Sequence, residues 1–163
     1  MASGKSSIGK KLAKKLSLDF IDLDDFIVSK EKMSISDIFV KKGEIYFRKI
    51  ESIYLNEVLQ MNKSYILALG GGTPCYGNNM ELIKDSNSNS FYLQASVNKL
   101  SQKLISKREK RPLVASLDDE QIFEYVGKHI FERRQFYEKA KYTIKTDNKK
   151  KSEIVNEIKS ILN

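Results

Sequence analysis

The chain alternates short apolar runs with longer stretches of helical periodicity. Ile8, Leu12 and Leu16 fall four apart and predict a helix over residues 5–16 with one buried stripe. Phe20-Ile21 predicts a short buried strand that ends in Asp22-Leu23-Asp24-Asp25, with a helix behind it to about Lys32. Ser34 and Ser36 offer caps for a short helix through Val40, closed by Gly43. A longer helix is expected over 44–61, with Ile50, Ile53, Tyr54 and Val58 turned inward. Tyr65-Ile66-Leu67-Ala68-Leu69 is a strand that runs directly into Gly70-Gly71-Gly72. A short helix over 79–84, a polar loop over 85–90, a strand at Phe91-Tyr92-Leu93 and a helix over 97–107 follow. The segment 108–117 is basic and broken by proline. The last elements are a helix over 118–140 with Ile122, Val126 and Ile130 on one face, a strand at Tyr142-Thr143-Ile144, and a helix over 152–162.

Short strands alternating with helices specify an α/β sandwich around a mostly parallel sheet. Ligands of such sheets bind beyond the carboxyl ends of the strands. Asp22, Asp24 and the glycine run 70–72 all sit at such ends and are expected to face one crevice. No repeat or linker interrupts the pattern, so residues 1–163 read as a single domain.

Composition narrows the picture. The chain has 29 Lys+Arg against 21 Asp+Glu, a formal charge of +8. Only five of the cations are Arg: Arg48, Arg108, Arg111, Arg133 and Arg134. A Lys-rich surface reads first as a solubilising one, whereas Arg grips carboxylate or phosphate at two points. The aromatics do not interleave with the Lys clusters, so nucleic-acid binding is not expected. No apolar run approaches the roughly 18 residues of a membrane span, and the N-terminus lacks a signal-peptide core. One Cys excludes an internal disulfide and suits a reducing, cytoplasmic setting. Cys75 reads as a space-filler, and His129 has no second ligand near it in sequence.

Candidate chemistry begins at Ala2-Ser3-Gly4-Lys5-Ser6-Ser7, which opens the first helix. Gly-Lys-Ser at a helix start is the second half of the phosphate loop G-x-x-x-x-G-K-[ST]. Backbone N–H groups there face phosphates, Lys5 neutralises their charge, and the Ser6 hydroxyl can ligate Mg²⁺. The motif's first Gly falls upstream of Met1, and the strand that should feed the loop is missing. The expectation is that the protein begins several residues earlier and that Met1 is an internal methionine, the alternative being a truncated product. Loss of that strand would leave its neighbours with unpaired ladder groups.

On the acceptor side, Asp22 and Asp24 lie two apart and would point the same way on a strand. One can support Mg²⁺ and the other can orient or deprotonate a hydroxyl; either can instead cap the following helix. Residues 70–72 suit close approach of backbone to a ligand, or a plain tight turn. Arg48 lies within Gly43-Glu44-x-x-Phe47-Arg48-x-x-Glu51, where it can also pair with Glu44 or Glu51. Arg133 and Arg134 precede Tyr137 on a helix. Arg111-Pro112-Leu113 lies where a lid could bring Arg111 onto phosphates.

Taken in order, these motifs resemble the shikimate kinase family over nearly the whole chain. The resemblance implies a three-layer P-loop kinase sandwich with a mostly parallel central sheet, of five strands in the family with the first missing here, and a lid at about 103–117. It implies transfer of the ATP γ-phosphoryl group to the 3-hydroxyl of shikimate, on the route to chorismate and the aromatic amino acids. Ala2, Ser3, Gly4, Lys5, Ser6 and Ser7 would hold the ATP phosphates, with Mg²⁺ on Ser6 and, through water, on Asp22. Asp24 would bind the shikimate hydroxyls and act as base. Arg48, Gly70, Gly71, Gly72 and Arg133 would bind the substrate, both arginines on its carboxylate. Arg111 would reach ATP from the lid, and Lys149 would lie near the adenine. Departures are Ala2 for a commoner Gly, Gln102-Lys103-Leu104 where the family often has an Arg, and Lys149 where a planar Arg could stack. A monomer binding shikimate and MgATP, with no nucleic acid or membrane partner, completes the expectation. Another small-metabolite P-loop kinase, or an inactive form that binds shikimate, is the alternative.

Overall fold

The computed structural model describes residues 3–106, 108 and 114–162. Its elements run α1 (Lys5–Leu16), β1 (Asp19–Asp22), α2 (Leu23–Glu31), α3 (Ile35–Leu59), β2 (Tyr65–Ala68), a 3₁₀ turn (Thr73–Cys75), α4 (Asn79–Asp85), β3 (Phe91–Gln94), α5 (Val97–Ile105), α6 (Asp119–Tyr137), β4 (Tyr142–Lys145) and α7 (Lys151–Leu162).

All described strand pairing is parallel. Asp19 pairs with Tyr65 and Asp22 with Ala68, so β1 and β2 end together. Phe91 pairs with Tyr142 and Gln94 with Lys145, which aligns β3 and β4 in the same way. The α/β expectation therefore holds, but the sheet is split into two pairs. A cavity of about 800 Å³ is lined by Tyr65–Ala68 of β2, by Phe91, Tyr92 and Leu93 of β3, and by Ile8, Leu12 and Ile158. Among the described residues β2 bonds only to β1 and β3 only to β4, so the cavity is lined by one strand of each pair.

Alternation along β2 feeds two apolar clusters. Tyr65, Leu67 and Leu69 pack against Leu23, Ile27, Ile38, Leu55 and Val58, between α2 and α3. Ile66 packs against Ile8, Leu12, Ile144, Ile154 and Ile158, between α1 and α7. A strand buried on both faces reads as a continuous apolar run, as this one does. A third cluster joins Leu100 and Leu104 of α5 to Ile122 and Val126 of α6.

One local expectation holds and one changes. The short and long helices expected on either side of Gly43 are both present, following one another within the span α3 and divided by a kink at Gly43. Gly43 has φ 80° and ψ 170°, a left-handed backbone that glycine takes without steric cost. Ile53 is 52% exposed rather than inward, because the buried stripe of α3 runs through Phe47, Ile50, Glu51, Leu55 and Val58. A buried glutamate thus occupies a place on the apolar face, and it belongs to the site.

Candidate active site

The site gathers where β1 and β2 end. Gly4, at φ 91°, turns the chain into α1, whose N-terminus carries no side-chain cap and no acidic residue in its first turn. Helix N–H groups without a capping partner suit an anion. Ser6 donates its hydroxyl to Asp22 Oδ2 at 2.7 Å, and Lys5 Nζ lies 3.3 Å from the same oxygen. Asp22 Oδ1 also accepts the Asp24 backbone N–H at 3.2 Å and caps α2. Asp22 is therefore both the helix cap and the partner of the phosphate-loop residues.

Asp24 is not on the strand as expected; it occupies the first turn of α2. The turn still brings it to the crevice. A Cβ on Gly70 would lie 3.5 Å from Asp24 Oδ1 and 3.6 Å from Glu51 Oε1. Burial pushes the Asp24 carboxyl above its ordinary range; Lys5 opposes this, while the like charges of Asp22 and Glu51 add to it.

Arg48 is held on several sides. Its Nη1 donates to Glu51 at 2.8 Å and its Nε to Glu44 at 3.3 Å. The guanidinium lies 3.9 Å from the centre of the Tyr76 ring, whose hydroxyl donates to Glu44 at 3.0 Å. Both pairings open in the sequence are thus made. Glu51 is 1% exposed and also accepts the Thr73 hydroxyl at 2.7 Å. A Cβ on Gly72 would meet Arg48 Nη1 and Nη2 at 3.0 Å. Gly72 thus leaves room for the guanidinium, and Gly70 for the Thr73 hydroxyl, which a Cβ there would meet at 3.0 Å.

Arg133 lies on α6, one turn before Tyr137. Tyr137 donates its hydroxyl to the Gly71 carbonyl at 2.6 Å, which ties α6 to the glycine run. Arg134 pairs with Glu138, whereas Arg133 makes no ion pair with a carboxylate among the described residues. Cys75 is half-buried; burial pushes its thiol up, and the nearby charges of Arg133 and Arg48 oppose this.

Of the other expected loop residues, Ser3 precedes Gly4 and Ser7 lies in the first turn of α1, where its Oγ accepts from Lys151 Nζ at 2.9 Å. Lys149, placed near the adenine by resemblance, has its ammonium on Glu157 at 2.5 Å. Ala2, Arg111 and part of the lid segment 103–117 lie outside the described residues. The sequence reading assigned no role to Thr73, Tyr76, Tyr137 or Lys151. Tyr137 carried one signal, its i,i+4 spacing from Arg133. Thr73, Tyr76 and Lys151 carried none, because their partners lie far away in sequence.

The family profile described as shikimate kinase matches residues 1–163. Shikimate kinase of Flavobacterium johnsoniae is 41% identical over 162 residues, covering 99% of this chain and 94% of that protein. Shikimate kinase of Flavobacterium psychrophilum is 42% identical with the same coverage. The crystal structure of shikimate kinase from Bacteroides thetaiotaomicron superposes with a TM-score of 0.88 at 27% identity, over 99% of this chain and 93% of that one. Shikimate kinase from Acinetobacter baumannii, solved in complex with shikimate, gives 0.84 at 31% identity, over 99% and 88%. With Lys5 and Ser6 against Asp22 and Arg48 beside Gly72, the chain belongs to the shikimate kinase family.

Proposed function

We propose that this chain transfers the γ-phosphoryl group of ATP to the 3-hydroxyl of shikimate in the crevice at the ends of β1 and β2. One observation supports this most. The Lys5–Ser6–Asp22 cluster and the Asp24–Glu51–Arg48 cluster sit side by side, one suited to phosphate and the other to a hydroxylated acid.

In this reading the N-terminus of α1 and Lys5 hold the ATP phosphates, together with Ala2, Ser3, Gly4, Ser6 and Ser7. Arg111 adds its charge from the lid and Lys149 lies on the adenine side. Arg48 and Arg133 take the shikimate carboxylate against Gly70, Gly71 and Gly72. Asp24 orients the 3-hydroxyl and receives its proton as the new O–P bond forms and the bond to the ADP oxygen breaks. A carboxyl pushed upward is the better proton acceptor for that step. Lys5 stabilises the charge that develops on the transferred group.

The residues present fit Mg²⁺. The Ser6 hydroxyl and the Asp22 carboxylate are neighbouring hard oxygen donors. Among the described residues no three His, Cys, Asp or Glu side chains cluster as a cage. Mg²⁺ commonly takes one or two side-chain oxygens and completes its shell with phosphate and water. When bound, it supplies charge neutralisation across the β- and γ-phosphates.

No described helix is long and apolar enough to cross a membrane. The proposal is of a monomeric cytoplasmic enzyme without nucleic-acid or membrane partners. The test is shikimate-dependent ADP release in MgATP, run beside gluconate and nucleoside monophosphates. Turnover with shikimate alone supports the proposal; turnover with another acceptor and none with shikimate overturns it.

A further inference from the structure

The tie between Tyr137 and Gly71 has no place in the phosphoryl transfer just described. The Tyr137 hydroxyl donates to the Gly71 carbonyl at 2.6 Å, across 66 residues of sequence. Cys75 Sγ lies 3.8 Å from the same carbonyl. The phenol ring packs against Tyr92 of β3, tilted by 36° with ring centres 5.1 Å apart. The ring is thus anchored to the sheet and its hydroxyl to the glycine run.

Four residues earlier, on the same face of α6, comes Arg133. Arg48 has its direction fixed by Glu44 and Glu51. Arg133 has no carboxylate to hold it among the described residues. The Arg133 side chain and its charge bear on the Tyr137 hydroxyl itself, so the phenol steadies the guanidinium as well as the helix end. The backbone of this end of α6 is located, relative to residues 70–72, by the Tyr137 hydroxyl.

We propose that Tyr137 is a positioning residue for binding of the substrate's carboxylate, acting by fixing Arg133 over the glycine run. The inference rests on the reading that Arg133 and Gly71 belong to the acid-binding side. Tyr137 touches no reacting atom, and its removal weakens acid binding while leaving nucleotide binding and the chemical step intact.

The test is Tyr137→Phe, which keeps the ring contact with Tyr92 and deletes only the hydroxyl. Shikimate binding is measured by calorimetric titration of the full chain, alongside Arg133→Met, the double variant and thermal melting. The same variants are titrated with the methyl ester of shikimate, which lacks the negative charge. Tyr137→Phe is expected to weaken shikimate binding about 5- to 10-fold, the usual scale of one hydrogen bond. Ester binding and ATP affinity stay unchanged. The double variant is no weaker than Arg133→Met, because coupled residues are not additive.

Equal weakening toward acid and ester, or strictly additive losses, overturns the proposal and leaves Tyr137 a packing residue. An unchanged acid affinity in Tyr137→Phe, with a loss in Arg133→Met, also overturns it while the acid-site reading survives. If Arg133→Met is silent too, both fall. A melting shift of many degrees with parallel losses in all affinities counts against positioning.

Discussion

Glu51 holds Arg48 at 2.8 Å from a position that is 1% exposed, on the same helix and one turn away. Its second oxygen takes the Thr73 hydroxyl at 2.7 Å. Removing two charges from water is costly, and the pair persists because each partner is satisfied. The consequence for function is that the Arg48 guanidinium is oriented before any ligand arrives, with Tyr76 against its face. A group fixed in advance loses less freedom on binding.

The pair makes Arg48 a stability residue as well as a binding one. Arg48→Met strands the Glu51 charge and is expected to cost about 3–5 kcal/mol, the range for breaking a buried pair from one side. Arg133→Met, which strands no carboxylate, is expected to cost well under 1 kcal/mol, as surface substitutions usually do. Denaturant unfolding of the two variants measures the difference. Adding Glu51→Gln to Arg48→Met should recover most of the loss, since the amide still accepts from Thr73. Equal stabilities for the two single Arg variants would contradict this account.

Asp24 trades stability for chemistry. Its carboxyl is pushed up by burial and by Asp22 and Glu51, so the ionised form is disfavoured in the folded chain. The folded state then binds more protons than the unfolded one between the ordinary and the raised value, and wild-type stability falls as pH rises through that window. Asp24→Asn removes the penalty. It is expected to abolish turnover while raising the melting temperature by a few degrees at neutral pH. The gain should shrink as pH drops toward the ordinary aspartate range, which melting curves across acidic pH can follow. A gain that does not depend on pH would mean that it comes from packing.

Lys5 sits 3.3 Å from Asp22, and its charge also holds the Asp24 carboxyl down. Lys5→Met should lower kcat by about 10²–10³-fold, the scale for losing one preorganised charge-stabilising donor. With Lys5 gone, Asp24 rises further. The acidic limb of the residual rate should therefore move to higher pH. Steady-state rates across pH check both effects, and a rate loss with an unmoved limb would separate Lys5 from Asp24.

Local chemistry made much of this legible. Apolar periodicity located the elements, because a stripe or an alternation is written within a few residues. Gly4-Lys5-Ser6 and Asp22 were readable because a helix start and a strand end fix their surroundings. Asp24 lies near Gly70, but not on a strand as expected: Asp22 caps α2, which begins at Leu23. Ile53 failed because Glu51 occupies the buried face of α3, and no periodicity rule puts a glutamate there. The Tyr137–Gly71 and Lys151–Ser7 contacts span 66 and 144 residues of sequence and depend on how layers stack, which no local pattern encodes.

Gly72 tests whether the glycine run serves the site's own side chains. Its φ of −86° is open to any residue, so alanine brings no backbone strain there. A Cβ would nevertheless stand 3.0 Å from both terminal nitrogens of Arg48. Arg48 cannot easily retreat, because Glu51 is buried behind it and Tyr76 covers its face. Gly72→Ala should therefore turn the guanidinium by a few tenths of an ångström and spoil its two-point grip. The KM for shikimate is expected to rise about tenfold, near the 1.4 kcal/mol that separates a well-aligned charged hydrogen bond from a poor one. The KM for ATP should stay put, and melting should change little because glycine's flexibility in the unfolded chain is also lost. Were the run only a tight turn, alanine would leave both KM values alone. Steady-state kinetics with each substrate varied in turn decides between these two outcomes.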